Sequence, residues 1–165
     1  MIAKKRQKSA QKKHYKIITR PIPMNRHPGN IYYASKKDKE NRKEHEKATA
    51  ETLVKFGHDV HFIEATNDPI LKDNKSNNPD CFWNKRTWEL KSPTGSSEST
   101  IARNVASAIG QCMRVIIDVS RMQRTVTQAT RDTIKYLDRR GGIRWEEIII
   151  LDRKEYCRIT KNMLK

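Results

Sequence analysis

The sequence predicts an α/β fold in which helices flank a mixed central sheet. Helical and extended patterns alternate along the chain, in the order helix, strand, hairpin, helix, strand, helix, strand, strand. The apolar run Val115-Ile116-Ile117 is typical of a central strand that is covered on both faces. The length of 165 residues favours one domain with room for a substantial hydrophobic core.

The chain divides into an arm and a folded domain. Residues 1–35 contain three prolines and show no sustained period, so we expect a flexible arm, partly ordered near residues 15–19. Residues 36–165 carry the regular patterns and form the domain. It opens with a predicted helix over 36–56, whose apolar stripe ends at Gly57, a residue that favours helix ends.

Short apolar runs and turn residues predict the other elements. Residues 67–78 are rich in Asn, Asp and Lys and are predicted to be a loop. Helices are predicted at 100–113 and 125–140. Strands are predicted at 60–63, at 81–83 and 87–90 as a hairpin joined by 84–86, and at 114–119, 147–151 and 156–160.

The charge balance is the first indication of function. Lys and Arg total 35 against 19 Asp and Glu, a net charge of +16. Such an excess binds polyanions through release of their counterions. Nucleic acid is therefore the favoured partner, ahead of a merely solubilising tail or an anionic membrane, which needs an amphipathic apolar face. Residues 1–20 contain eight of the cations and no acidic residue: Lys4, Lys5, Arg6, Lys8, Lys12, Lys13, Lys16 and Arg20.

Several classes of protein are excluded by the sequence. No run approaches the ~20 apolar residues of a membrane span, and no apolar segment follows the basic start as in a secretory signal. Cys81, Cys112 and Cys157 are odd in number and far apart, so neither a disulfide framework nor a cysteine metal site is expected. We therefore expect a reducing, cytoplasmic working environment.

Charged residues that suit phosphodiester chemistry are concentrated in the predicted hairpin. Asp80 can lie opposite Glu89, and two adjacent carboxylates repel unless a cation lies between them. A hard ion such as Mg²⁺ prefers oxygen ligands, and the carbonyl of Leu90 can supply a third. Lys91 shares a strand face with Glu89 and can orient a water or stabilise charge on the phosphorane. The spacing alone leaves a second interpretation open, in which Asp80 is a turn residue and Glu89 and Lys91 form a surface ion pair.

Uncharged polar residues follow the hairpin. Thr100, Asn104, Ser107 and Gln111 share one helix face, which suits either a lining for waters and phosphate oxygens or a packed polar seam. The serine-rich loop at 92–99 is expected to bind a phosphate at the helix N-terminus or simply to cap the helix. The candidate nucleic-acid contacts are Ser92, Ser96, Ser97, Thr100, Asn104, Lys85 and Arg86.

The roles of some other residues stay open at this point. Trp83 and Trp88 are candidates for stacking on bases, although alternating hairpin residues are more often buried. Asp118 is expected to cap a turn with Ser120. Four arginines are either phosphate contacts or solvated, and the sequence does not choose between these roles: Arg121, Arg124, Arg139 and Arg140.

A family resemblance rests on one long stretch of the chain. The stretch contains Asn78-Pro79-Asp80, then Trp88-Glu89-Leu90-Lys91-Ser92-Pro93-x-Gly95-Ser96-Ser97 and Thr100-Ile101-x-x-Asn104, then Ala108-x-x-Gln111 and Val115-Ile116-Ile117-Asp118. It resembles the PD-(D/E)xK nuclease superfamily. More narrowly, it is similar to the tRNA-cleaving C-terminal toxin domain of CdiA-type contact-dependent growth inhibition proteins.

The resemblance implies a restriction-endonuclease-like α/β/α fold, divalent-metal catalysis and RNA cleavage. It implies that Asp80 and Glu89 are metal ligands, that Lys91 is the catalytic lysine and that Gln111 contacts the active site. It also implies a glutamate on the first helix. Glu46 fits best because it shares a face with the apolar stripe, and Glu44 is the alternative.

The function expected from the sequence is that of a metal-dependent endonuclease, an RNase toxin domain acting on tRNA. The alternatives are a DNase or Holliday-junction-resolvase-like enzyme and a non-catalytic nucleic-acid-binding protein on this fold. We expect Mg²⁺ as cofactor, with Mn²⁺ and Zn²⁺ as alternatives. The expected partners are nucleic acid and, within a toxin system, an immunity protein; such a toxin is delivered before it acts in the cytoplasm. No membrane partner is expected, and the oligomeric state is left open.

Overall fold

The computed structural model describes residues 16–64 and 79–164 of the chain. The strands in these ranges are β1 (Arg20–Pro21), β2 (Ile31–Tyr32), β3 (Val60–Phe62), β4 (Cys81–Trp83), β5 (Arg86–Lys91), β6 (Arg114–Asp118), β7 (Glu147–Leu151) and β8 (Glu155–Thr160). The helices are α1 (Lys36–Asn41), α2 (Glu44–Leu53), α3 (Glu98–Ile109) and α4 (Val126–Arg140), with 3-10 turns at Val54–Phe56 and Lys161–Met163.

The strands of the described residues form one mixed sheet in the order β1-β8-β7-β6-β5-β4-β3-β2. The central strands β5, β6 and β7 are parallel, as are β2 and β3, and the other neighbours are antiparallel. Helices α3 and α4 connect the parallel strands, as parallel pairing requires. The predicted mixed α/β fold is confirmed.

The two faces of the sheet carry separate apolar clusters. Val115 and Ile117 of β6 pack with α3 and α4 on one face, here called the α3 face. Ile116 points the other way and packs with Ala50 and Leu53 of α2, on what we call the α2 face. Because side chains alternate along a strand, this division assigns a face to every residue in the neighbouring strands.

The predicted strands that lie in the described residues, and the helix over 125–140, agree with the structure to within one residue at each end. The predicted loop at 67–78 lies outside the described residues. The predicted continuous helix over 36–56 is wrong, because the backbone of Arg42 is extended (φ −66°, ψ 131°) and separates α1 from α2. The guanidinium of Arg42 donates to Asp38 at 2.6 Å and to the carbonyl of Ile63 at 3.1 Å, which ties the break to the sheet.

The helix predicted over 100–113 instead covers Glu98–Ile109. The hydroxyl of Ser97 accepts a hydrogen bond from the amide of Thr100 at 3.2 Å and starts the helix earlier. At the other end the helix stops before Gly110, whose amide still donates to the carbonyl of Ala106. This earlier end changes where Gln111 lies.

Two short strands lie within the predicted arm. β1 pairs with β8 and β2 pairs with β3, so residues 20–21 and 31–32 belong to the edges of the sheet. The assignment of these residues to a flexible segment is corrected accordingly. Two paired residues are too few to show the alternation by which a strand is detected in a sequence. Residues 1–15 lie outside the described residues.

Two further features complete the fold. In residues 16–64 and 79–164 no helix is both long enough and apolar enough to cross a membrane. Cys81, Cys112 and Cys157 are buried and form no disulfide. Burial raises the pKa of the Cys81 thiol, and the neighbouring carboxylate of Asp80 raises it further, so this thiol stays protonated.

Candidate active site

A tight hairpin brings Asp80 beside β5. Asn84 and Lys85 both have positive φ values, 48° and 60°, which gives the two-residue turn that matches the twist of paired strands. Cys81 then lies opposite Trp88, and the amide of Asp80 donates to the carbonyl of Trp88 at 3.0 Å. One carboxylate oxygen of Asp80 (Oδ2) accepts from the amide of Leu90 at 2.8 Å. The predicted juxtaposition of Asp80 with the end of the second strand is confirmed.

Alternation along β5 places Glu89 and Lys91 on the α3 face, while Trp88 and Leu90 pack into the cluster of the α2 face. The residue Glu89 is 1% exposed. Its oxygen Oε1 lies 2.5 Å from the ammonium nitrogen of Lys91. The pair therefore joins a buried carboxylate to a half-buried lysine at the end of a central strand, and the surface-pair interpretation does not hold.

Burial and charge oppose each other at Glu89. Removal from water raises the pKa of its carboxyl, the negative charge of Asp80 raises it further, and the ammonium of Lys91 acts in the other direction. The resulting pKa is about 7, against an ordinary value of 4.5. A carboxyl group whose pKa is close to neutral pH, beside a second carboxylate, is typical of a functional site.

The second carboxylate oxygen of Glu89 is available to bind a cation. The second oxygen of Glu89 (Oε2) is buried and has no hydrogen-bond partner in the described residues. A buried oxygen without a partner costs free energy that a bound cation would recover. The carbonyl of Leu90 points to the same side of β5 as its amide, which contacts Asp80. Two carboxylates and a carbonyl form an oxygen set that suits a hard divalent ion such as Mg²⁺, which keeps several waters.

No third side-chain ligand joins this set. The described ranges contain no group of three or more His, Cys, Asp or Glu residues placed to hold a metal. α2 packs on the α2 face, whereas Glu89 lies on the α3 face. Glu46 instead faces Arg42 at 3.7 Å, and Glu44 pairs with Lys47 at 2.8 Å. The structure thus brings neither first-helix glutamate into the cluster.

Gln111 lies outside the helix on which the sequence placed it. Gln111 follows the end of α3 and precedes β6, whereas Lys91 lies level with Ile117, three residues into that strand. The offset from Ile117 to Arg114 is about 10 Å along the strands, so Gln111 is remote from Lys91, whereas Glu89 lies level with Val115, only one residue into β6. The shared helix face predicted for Gln111 fails because the helix ends too early.

The basic hairpin residues lie at the other end of β5 from the cluster. Lys85 is in the turn, and Arg86 starts the strand, five residues before Lys91. The guanidinium of Arg86 is 3.3 Å from the carboxylate of Glu147, which Arg158 also contacts. Arg86 therefore has a structural partner, and neither residue is grouped with the candidate site.

The loop after β5 is held by the segment that follows β6. The amide of Gln123 donates to the carbonyl of Gly95 at 3.1 Å. Arg121 donates to the carbonyl of Ser92 at 3.3 Å, and Arg124 donates to that of Ser96 at 3.0 Å. Arg124 also forms an ion pair with the buried Asp132. The two arginines are thus distinguished: Arg124 is locked in a structural pair, and Arg121 is exposed beside the candidate site.

Some of the polar residues of the loop and helix form hydrogen bonds within the fold, and others do not. Ser97 caps α3, as one of the two sequence interpretations predicted. Asn104 donates to the carbonyl of Thr100 at 2.8 Å and so bonds its own helix. The hydroxyl of Ser92, next to Lys91, is buried without a hydrogen-bond partner in the described residues. Ser92 follows Lys91 directly, and its hydroxyl is available to bond a ligand at the candidate site.

Other sequence expectations have clear outcomes. Trp83 and Trp88 are buried at 3% and 1% exposure, so neither can stack on a base. Phe82, which precedes Trp83 on β4 and faces the other side of the sheet, is exposed, and sequence reasoning missed it. Asp118 does accept from the amide and hydroxyl of Ser120, as predicted, and also from Thr49 of α2 at 2.6 Å.

Known proteins are similar to this chain in sequence and in fold. Residues 76–155 match the family model of the contact-dependent growth inhibition CdiA C-terminal domain. The fold is similar to that of a chain in the CdiA-CT/CdiI toxin and immunity complex from Burkholderia pseudomallei, with a TM-score of 0.58 and 15% sequence identity. That match covers 80% of this chain and 99% of the other. No curated protein matches the sequence significantly. The stretch that matches the family model includes Asp80, Glu89 and Lys91.

Proposed function

We propose that this chain is a contact-dependent growth inhibition toxin domain of the CdiA type, a metal-dependent nuclease that hydrolyses phosphodiester bonds in tRNA. The observation that carries the proposal is the cluster of the buried Glu89 with the half-buried Asp80 and Lys91, in which one oxygen of Glu89 has no partner in the described residues. A purely structural sheet gains nothing from a buried carboxylate with a second carboxylate beside it.

The chemistry of the cluster suits phosphodiester hydrolysis. Asp80, Glu89 and the carbonyl of Leu90 would hold a divalent cation, and Mg²⁺ fits this oxygen set better than Zn²⁺, which favours nitrogen and sulfur. When bound, the cation supplies water activation and charge neutralisation. The ammonium of Lys91, fixed by Glu89, is positioned to hold a water or to stabilise the negative charge that develops on the phosphoryl oxygens.

The substrate class is supported by charge and by the comparisons. The net charge of +16 favours a dense polyanion, and a folded RNA presents closely spaced phosphates in a compact shape. The match to the CdiA C-terminal domain, together with the sequence resemblance to tRNA-cleaving members, favours tRNA over duplex DNA.

A protein partner belongs to the same proposal. The similar structure is a toxin and immunity complex. We therefore extend the proposal to a cognate immunity protein that binds this domain and blocks its activity. An acidic surface on that partner would complement the basic excess of the chain.

The deciding experiment incubates the purified protein with total tRNA, a structured non-tRNA control and duplex DNA, each with Mg²⁺, Mn²⁺ or EDTA. We expect site-restricted nicks in tRNA that require the metal. Glu89→Gln should abolish cleavage and leave tRNA binding intact or stronger, because a negative charge is removed. The matched control is Glu147→Gln, which removes a buried carboxylate from the same sheet away from the cluster.

Three outcomes would contradict the proposal. Cleavage by Glu89→Gln at the wild-type rate would show that the cluster is not the active site. Preferential cutting of duplex DNA would replace the tRNase by a resolvase-like enzyme. Tight binding of tRNA without cleavage of any substrate would identify a non-catalytic nucleic-acid-binding protein.

A further inference from the structure

An exposed row of aromatic rings crosses three strands at the β2 edge of the sheet. Tyr32 lies opposite His61, and His61 lies opposite Phe82, in consecutive pairs of β2, β3 and β4. The rings of Tyr32 and His61 are stacked, with centroids 4.6 Å apart and planes inclined by 11°. The rings of His61 and Phe82 meet edge to face at 6.4 Å. The three rings form one continuous surface, which we call the ring platform.

The ring platform is on the same face of the sheet as the candidate active site. Phe82 lies opposite Thr87, which shares the α3 face with Glu89 and Lys91. Asp80 precedes Phe82 by two residues, a separation of about 7 Å along a strand. The platform therefore begins directly beside the carboxylate cluster and leads away from it toward the β2 edge.

The exposure of these rings is unusual for this protein. Phe82 is 42% exposed and Tyr32 is 46% exposed, and His61 is also exposed. The alternate residues of the same strands, Val60 and Trp83 among them, are buried in the cluster of the α2 face. Exposed rings that adjoin one another beside a functional cluster indicate a binding surface, whereas an isolated exposed residue does not.

The backbone under the platform is fixed in place. A side chain at Gly29 would come within 2.1 Å of the carbonyl oxygen of His58, so the chain before β2 lies close to β3. The amide of Asn30 donates to the carboxylate of Asp59 at 2.7 Å, and the amide of Val60 donates to the carbonyl of Asn30 at 2.9 Å. The stacked pair of Tyr32 and His61 is therefore held by main-chain contacts, as a rigid binding surface requires.

We propose that Phe82, His61 and Tyr32 stack on unpaired bases of the RNA substrate next to the phosphate that is cleaved. This inference rests on the proposed nuclease function and adds its substrate form, a single-stranded region rather than a continuous helix. Unpaired bases stack on aromatic side chains, whereas bases inside an A-form helix are not accessible to them. The neighbouring cluster engages the backbone, so the two surfaces contact different parts of the same strand.

The test measures binding in EDTA, where it does not depend on cleavage. A short fluorescent single-stranded RNA and a blunt duplex of the same composition are titrated with the wild type and with Phe82→Ala, Tyr32→Ala and Phe82→Leu. Each alanine variant should weaken single-strand binding by roughly 5- to 100-fold and leave duplex binding unchanged. Phe82→Leu keeps apolar area but loses the aromatic face, and it should behave like Phe82→Ala. The control is Met113→Ala, which removes a side chain that is also 46% exposed, immediately before β6.

The outcomes separate this inference from the proposed function. Single-strand binding that is unchanged in the folded alanine variants overturns the platform, even if tRNA is cleaved. If Phe82→Leu binds single-stranded RNA as well as the wild type does, the surface is a general apolar one and the platform is overturned. The platform is also overturned if the wild type is a dimer that Phe82→Ala converts to a monomer while its affinity for RNA stays unchanged. Loss of single-strand binding in Phe82→Ala, with no cleavage by the wild type, supports the platform and contradicts the nuclease.

Discussion

The carboxylate of Glu89 and the ammonium of Lys91 lie 2.5 Å apart on one face of β5, yet the other oxygen of Glu89 has no partner in the described residues. The buried carboxylate of Glu89 has lost its hydration, and a single contact with the half-buried Lys91 offsets that cost only in part. Asp80 adds a second negative charge beside it. This arrangement is costly for stability and useful for catalysis, because it holds a cation-binding carboxylate and a lysine in fixed relation.

The first prediction concerns stability against pH. The folded-state pKa of Glu89 is about 7, above the ordinary 4.5, so the folded protein holds a proton that the unfolded chain releases. Stability from this group is fully present below pH 4.5 and is lost as the pH rises through 7. The loss is on the order of 3 kcal/mol at pH 8 in EDTA. Chemical denaturation at pH 5 and pH 8 should show Glu89→Gln gaining stability relative to the wild type as the pH rises.

Two comparisons sharpen this prediction. Asp80→Asn removes the neighbouring negative charge, so the pKa of Glu89 should fall toward its ordinary value and the pH dependence should shrink. Mg²⁺ added at pH 8 should raise the stability of the wild type but not of Glu89→Gln. A constant difference between wild type and Glu89→Gln from pH 5 to pH 8 would mean that Glu89 titrates normally.

The second prediction separates the roles of the lysine and the ligands. Lys91→Ala removes the cation that faces the phosphoryl group, so single-turnover cleavage should fall by roughly 100-fold or more. Mn²⁺ affinity measured by isothermal titration at pH 8 should change little, because no proposed ligand is lost. Asp80→Ala should lose both metal binding and cleavage. Metal binding lost in Lys91→Ala but retained in Asp80→Ala would reverse the assignment.

The third prediction distinguishes two arginines of one segment. Among the described residues, Arg124→Ala leaves the buried Asp132 with Lys135 at 4.0 Å as its remaining cation, so the free energy of unfolding should fall by about 3 kcal/mol. Arg121→Ala should change stability by less than about 0.5 kcal/mol. Because Arg121 is exposed and contacts Ser92 next to Lys91, its loss should lower cleavage roughly tenfold through a lost phosphate contact. Denaturation and single-turnover cleavage of both variants check this, and equal stability of the two would contradict it.

The hairpin and the parallel strands were predictable because each follows from local pattern. Val115-Ile116-Ile117 has the composition of a buried parallel strand, and Asp80 and Glu89 have the spacing of a two-stranded hairpin. The direction of Lys91 then follows from alternation alone. The chemically central part of the candidate site was therefore available from the sequence.

The parts that were not predictable depend on long-range contacts. Gln111 and Glu46 were assigned by resemblance. The end of α3 before Gln111 and the pairing of Glu46 with Arg42 both depend on tertiary structure. The ring platform depends on the parallel pairing of β2 with β3, which joins residues 29 positions apart. Tyr32 alone gives no signal of this pairing, and Phe82 looks in the sequence like its buried neighbours.

The last prediction concerns the basic arm, and the structure determines where it should be cut. Residues 1–15 contain six of the cations of the arm, whereas a cut after residue 20 would remove half of β1. Deletion of residues 1–15 should weaken tRNA binding and reduce the slope of log K against log salt by up to about 4, since each single-strand phosphate contact contributes about 0.7. A full-length variant with those six cations changed to Gln should behave alike, because charge rather than length carries the effect.

Cleavage of saturating tRNA should stay at the wild-type rate, since Asp80, Glu89 and Lys91 all lie in the sheet region. Loss of single-turnover cleavage in the folded deletion variant would show instead that the arm helps to build the active site.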